Sequence, residues 1–130
     1  MAKADVLIAE DDAVLRSLYV KKFSVAGYAI RTVEDGEAAI NAITAHTPEI
    51  LILDIHMPKL DGFQVLERYP KADRTFPVIL LTNFADERSR QRGAELGVED
   101  YFVKKDMTIK SLLEMTEKML YHWKKEHPQG

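Results

Sequence analysis

The sequence predicts an α/β fold, a doubly wound five-stranded parallel sheet with five helices on its two faces. Two observations carry this expectation. Five short β-rich runs alternate with five segments whose apolar residues recur at three- and four-residue steps, and the connections are short. The third run, Ile50 to Leu53, is also apolar without alternation, as a strand covered on both faces requires. Right-handed crossovers between parallel strands then place helices on both sides of the sheet.

Each element has its own signal. Asp5 to Ala9 is a β-rich run that ends in three acids, Glu10, Asp11 and Asp12. From Ala13 the period becomes helical, with Leu15, Leu18, Tyr19, Phe23 and Ala26 expected on the inward face and Gly27 as the stop. Tyr28 to Val33 forms the second strand, and Asp35-Gly36 turns the chain into a helix carrying Ala38, Ala39, Ile40, Ala42 and Ile43, which stops before Pro48. Glu49 to Leu53 is the central strand, closed by Asp54. A third helix starts near Gly62 or Phe63, turns Val65, Leu66 and Tyr69 inward, and is truncated by Pro70. Phe76 to Thr82 is the fourth strand, Asp86 to Leu96 a charged helix closed by Gly97, and Asp100 to Val103 the fifth strand, ending at Lys104. The last helix is expected to use Asp106 as its N-cap and to run from about Met107 to Lys125, with Ile109, Leu112, Leu113, Thr116, Leu120 and Trp123 inward. One domain over residues 1–126 and a loose tail over 127–130 follow.

Bulk properties exclude several classes. A hydrophobic content of 46% with 30% charged residues argues against disorder. The net charge of −3 leaves no electrostatic footprint for nucleic acid. No apolar run approaches the roughly 20 residues of a membrane span, and the N-terminus enters a strand without room for a signal peptide. With no cysteine, disulfide, thiolate and Cys-based zinc chemistry are excluded, and the expectation is a cytoplasmic protein.

In a parallel sheet every strand's carboxyl end lies on one edge, where open α/β sheets bind ligands. Those ends read Glu10, Asp11 and Asp12, then Asp54, Thr82 and Lys104. Carboxylates about 4 Å apart repel by roughly 4 kcal/mol at an effective dielectric near 20. A divalent cation removes that cost, and an all-oxygen donor set suits Mg²⁺ or Mn²⁺. The same rim has the parts of a phosphoryl-transfer site: Asp54 as nucleophile, Glu10 and Asp11 on the metal, Lys104 and Thr82 for two phosphoryl oxygens.

Over essentially its whole length the chain resembles the receiver domains of two-component response regulators, the family of the chemotaxis protein CheY. The resemblance rests on Glu10-Asp11-Asp12, on Asp54-Ile-His-Met-Pro-Lys-Leu-Asp-Gly62, which fits the run D-x-x-M-P-x-x-D-G, and on the spacing of Thr82 and Lys104. It implies the flavodoxin-like strand order 2-1-3-4-5 and a Mg²⁺-dependent switch phosphorylated on Asp54 by a histidine kinase or phosphotransfer protein. It further implies that Glu10, Asp11 and Asp54 hold the metal with the backbone carbonyl of His56, and that Tyr101 is the aromatic that responds. Such a protein catalyses only its own phosphorylation and dephosphorylation. Here it is expected to stand alone, as a monomer or weak dimer, and to signal through a downstream protein partner or a phosphorelay, with no contact to nucleic acid or membrane.

Two positions depart from the family pattern. Lys105 stands where proline usually follows the lysine through a cis bond, and since cis before a non-proline costs about 3–4 kcal/mol, a trans bond is expected. Asn83 follows Thr82 where a very small residue is common, which would narrow access to the phosphoryl group. These departures keep one alternative open, a degenerate receiver that binds partners without being phosphorylated. Two further rivals fit less well. A haloacid-dehalogenase-type phosphohydrolase needs a second carboxylate where His56 stands, and a flavodoxin-like FMN carrier needs a phosphate-cradling loop where the three acids lie. Tyr121, His122 and Trp123 either form a partner surface or pack back on the domain.

Overall fold

In a computed structural model of the chain, which describes residues 2–84 and 86–128, the expected alternation is present. The elements are β1 (Asp5–Ala9), α1 (Ala13–Val25), β2 (Ala29–Val33), α2 (Gly36–Ala45), β3 (Ile50–Asp54), α3 (Gly62–Arg68), a 3₁₀ turn (Lys71–Asp73), β4 (Val78–Thr82), α4 (Glu87–Glu95), β5 (Asp100–Val103) and α5 (Ile109–Glu126). The strands form one parallel sheet in the order β2-β1-β3-β4-β5.

Side chains alternate across the sheet and feed two cores. On one face Val6, Ile8, Ile50, Ile52, Ile79 and Leu81 pack against Tyr19 and Phe23 of α1 and Leu112 and Leu120 of α5. On the other, Leu7, Leu51, Leu53 and Leu80 pack against Ala39 and Ile43 of α2 and Val65 and Leu66 of α3. All five residues of β3 and of β4 are buried, which explains why neither run alternates in sequence.

Several boundaries differ from expectation. Leu18 is 39% exposed rather than inward, because it lies about 100° around α1 from Tyr19. Gly27 does close α1: at φ +98° it forms a left-handed cap in which the Tyr28 N–H reaches the Phe23 carbonyl and the Gly27 N–H that of Ser24. Tyr28 is therefore spent on the cap, and β2 begins at Ala29. Pro77 has no N–H to give the ladder, so β4 begins at Val78. The N-cap of α5 is Thr108, not Asp106. The Thr108 hydroxyl accepts from the Ser111 N–H at 3.1 Å, whereas Asp106 belongs to the turn that follows β5. All peptide bonds among the described residues are trans, including that between Lys104 and Lys105. At the far end of α5 the half-buried Trp123 stacks on the His127 ring at 3.9 Å; Gln129 and Gly130 of the expected tail lie outside the described residues.

One buried cation ties two helix ends together. Arg74 is 8% exposed and has no carboxylate within ion-pair distance among the described residues. Its guanidinium donates to the carbonyls of Tyr69 (3.0 Å), Leu96 (3.1 Å) and Gly97 (2.8 Å), at the carboxyl ends of α3 and α4. Those ends carry the negative pole of each helix, which suits a cation. Burial still holds the guanidinium below its ordinary pKa.

Candidate functional site

The carboxyl ends of β1, β3 and β5 converge on one buried cluster, with the end of β4 beside it. Glu10 and Asp54 are 0% and 1% exposed, and Asp11 is exposed beside them. One carboxylate oxygen from each of the three lies within 4.8 Å of the other two. The Lys104 ammonium sits between the two buried acids, 2.9 Å from Glu10 Oε1 and 2.9 Å from Asp54 Oδ2. The remaining oxygens are held by the backbone, Glu10 Oε2 by the Asp12 N–H at 3.1 Å and Asp54 Oδ1 by the His56 N–H at 3.1 Å. Both turns thus fold back on the acids that precede them.

One ammonium does not balance three carboxylates. Burial, the hydrogen bond to Asp54 and the charge of Asp54 together push the Glu10 carboxyl up to about 8, against the opposing pull of Lys104. Burial disfavours the Lys104 ammonium, yet its hydrogen bonds to Glu10 and Asp54 outweigh this and raise its pKa. The Tyr19 phenol, buried beneath the cluster, is likewise raised by burial and then by Glu10 and Asp54. A site short of positive charge, with converging oxygen donors and an exposed acid at its mouth, could hold a hard metal ion.

The other expected residues fall into place unevenly. Asp12 stands apart from the triad: its carboxylate caps α1, accepting from the Val14 and Leu15 N–H groups at 2.9 and 3.1 Å. The His56 ring is exposed. Thr82 is 1% exposed at the end of β4, but its hydroxyl turns to its own loop, donating to the Phe84 carbonyl at 2.9 Å and accepting from the Phe84 N–H at 3.2 Å. Tyr101 leans on α4, its hydroxyl donating to the Ser89 carbonyl and its ring facing the Arg90 guanidinium at 5.2 Å. Asn83 is exposed, and Lys105 is exposed with its ammonium 5.5 Å from the Phe84 ring.

Two supports escaped the sequence reading. Arg16 donates from one nitrogen to the carbonyls of both Glu10 (2.8 Å) and Asp11 (3.0 Å), while the other lies 3.6 Å from Glu34. Gly36, at the start of α2, lies against Leu60: a Cβ there would overlap the Leu60 carbonyl, so the β3–α3 loop rests on the helix. Asp35 caps α2 through the Ala38 N–H and lies 3.8 Å from Lys59 of that loop. The loop before α2 therefore meets the loop after Asp54 directly and the loop after β1 through Arg16. Only Arg16 had a sequence signal, a cation in an early turn of a helix, against the dipole.

A family model described as the response regulator receiver domain matches residues 6–117. Among curated proteins, the chain is 38% identical over 125 residues to the probable transcriptional regulator ycf27 of Guillardia theta, covering 92% of this chain and 49% of that protein. The chain spans about half the length of the curated relatives it matches. Among solved structures, the receiver domain of the Francisella response regulator 1452 superposes with a TM-score of 0.85 at 26% identity, covering 92% of this chain and 98% of that one. A CheY-like receiver domain protein of Methanospirillum hungatei, at 21% identity, shares the fold with a TM-score of 0.86 over 93% and 96% of the two chains.

Proposed function

The chain belongs to the response regulator receiver domain family, and on that premise we propose that it is a Mg²⁺-dependent phosphorylation switch with Asp54 as acceptor. The observation that carries this reading is a buried Asp54 with one oxygen on Lys104 and two further carboxylates beside it. Glu10, Asp11 and Asp54 would hold the ion together with the His56 carbonyl. When bound, it supplies the positive charge that this acid cluster lacks and neutralises the incoming phosphoryl oxygens.

The chain's own groups do the rest. An Asp54 oxygen bonds to phosphorus as the phosphorus–nitrogen bond of the donor's phosphohistidine breaks and its electron pair returns to the imidazole. Lys104, already on Asp54, passes to a phosphoryl oxygen, and the Thr82 hydroxyl leaves Phe84 to donate to another. That withdrawal remodels the β4–α4 loop and the contact between Tyr101 and Ser89, biasing the surface formed by β4, β5 and their helices. The chain catalyses only its own phosphorylation and dephosphorylation, takes its phosphoryl group from a histidine kinase or phosphotransfer protein, and acts by protein contact or onward phosphotransfer. The absence of a helix long and apolar enough to cross a membrane, among the described residues, accords with a cytoplasmic setting.

Intact mass after incubation with Mg²⁺ and a small-molecule phosphodonor tests this reading. One phosphoryl group added to the wild type and none to Asp54→Asn is the expected result. No addition, with Mg²⁺ binding intact, would instead identify a module that works by binding alone.

A further inference from the structure

We infer that Arg16 is a positioning residue for the metal site, setting its affinity by fixing the backbone that carries Glu10 and Asp11. The inference rests on the metal reading above. Arg16 lies in the second turn of α1, its side chain 20% exposed, within reach of a turn rich in acids. Its choice of partners is unusual for that setting. It bonds neither the Glu10 nor the Asp11 carboxylate; one guanidinium nitrogen grips both backbone carbonyls, at 2.8 and 3.0 Å. An ion pair to either side chain would have drawn that acid away from Asp54. By taking the carbonyls, Arg16 leaves both carboxylates facing the cluster and also keeps those carbonyls from the ion.

On its far side the second nitrogen lies 3.6 Å from Glu34, itself 70% exposed. Other bonds complete the turn: the Asp12 N–H holds Glu10 Oε2, and the Asp12 carboxylate caps α1. Arg16 is the member of this set that holds both peptide planes, the Asp12 N–H fixing only the second of them. Without it the turn must order as the ion binds, and loss of such outer-layer partners commonly weakens metal affinity 10- to 100-fold.

Charge and positioning predict opposite signs here, so a titration separates them. Removing a cation near a metal site strengthens binding if charge alone matters, and weakens it if the peptide planes must be held. Mg²⁺ affinity is measured by calorimetry on wild type, Arg16→Ala, Arg16→Lys, Arg16→Met and, as a loss-of-ligand control, Asp11→Asn, with melting temperatures recorded in EDTA. Expected are about 10-fold weaker binding in Arg16→Ala and a smaller loss in Arg16→Lys, which keeps the charge and one donor nitrogen on a shorter stem. Unchanged or tighter binding in Arg16→Ala, beside normal wild-type binding, would overturn the inference alone. If Arg16→Ala fails to fold, wild-type or tighter Mg²⁺ binding in Arg16→Met, which keeps the stem without a donor, would overturn it. A wild type without Mg²⁺ binding would sink the metal reading itself, and this inference with it.

Discussion

Lys104→Met should destabilise the metal-free protein in a manner that depends on pH and is reversed by Mg²⁺. At 2.9 Å, each of its two carboxylate contacts carries roughly 6 kcal/mol of attraction at an effective dielectric near 20, most of it offsetting the desolvation of buried charge. Carboxylates at up to 4.8 Å repel by about 3.5 kcal/mol on the same scale. Removing one partner of a buried ion pair typically costs about 3–5 kcal/mol. Glu10 can take up a proton, its carboxyl being already raised to about 8, and this caps the loss near the lower end, about 3 kcal/mol. For 130 residues that corresponds to about 12 °C in the melting temperature. The assay is thermal unfolding followed by circular dichroism in EDTA, at about pH 8 and about pH 5, then with saturating Mg²⁺. At the lower pH Glu10 is neutral in both proteins, whereas at about pH 8 it is half ionised in the wild type and stays protonated in the variant, so the difference should shrink by about 0.4 kcal/mol, the Asp54 part of the loss persisting. Mg²⁺ should raise the variant's melting temperature more than the wild type's. An equal loss at both pH values, unrelieved by Mg²⁺, would refute the reasoning and mean that Lys104 acts through the packing of its aliphatic stem.

The wild type should itself show a pH signature without metal. Because the Glu10 carboxyl is raised from 4.5 to about 8, the folded state holds a proton that the unfolded chain releases above 4.5. Its stabilisation is complete below 4.5 and is lost as pH rises through about 8, so denaturant midpoints in EDTA should fall across that window and the Glu10→Gln variant should flatten the slope. Gly36→Ala places a Cβ on the Leu60 carbonyl, forcing the β3–α3 loop off the start of α2. A loss of about 2 kcal/mol in urea unfolding and slower phosphorylation of Asp54 are expected, and wild-type values for both would show the loop to be free of that support.

What could be read in the sequence follows from what leaves a pattern there. Glu10, Asp54 and Lys104 each interrupt an apolar run, and parallel strands put such interruptions on one edge, so their meeting was legible. The strand order was not, because Ile50 to Leu53 and Val78 to Leu81 are alike buried and nothing in their periodicity ranks neighbours; it came from the resemblance. The misplaced α5 start is a contest between two good caps. Asp106 and Thr108 both qualify by type, and the hydrogen bond to the turn after β5 decided between them. Leu18 shows the limit of counting three- and four-residue steps, since both steps from one residue cannot stay on a narrow face. Arg16 and Gly36 act on backbone carbonyls, which every residue possesses, so no choice of partner residue betrays the contact.

The three carbonyls gripped by Arg74 make α4 a helix hung from one end. Parting its carboxyl end from α3 would strand a guanidinium in a dry pocket, whereas nearer its amino end, among the described residues, the helix meets the sheet through Tyr101, whose hydroxyl reaches Ser89 and whose ring faces Arg90. The helix is built like a lever with its pivot at Leu96 and Gly97. Any swing of the helix is therefore expected at its amino end, with Leu96 and Gly97 staying on Arg74.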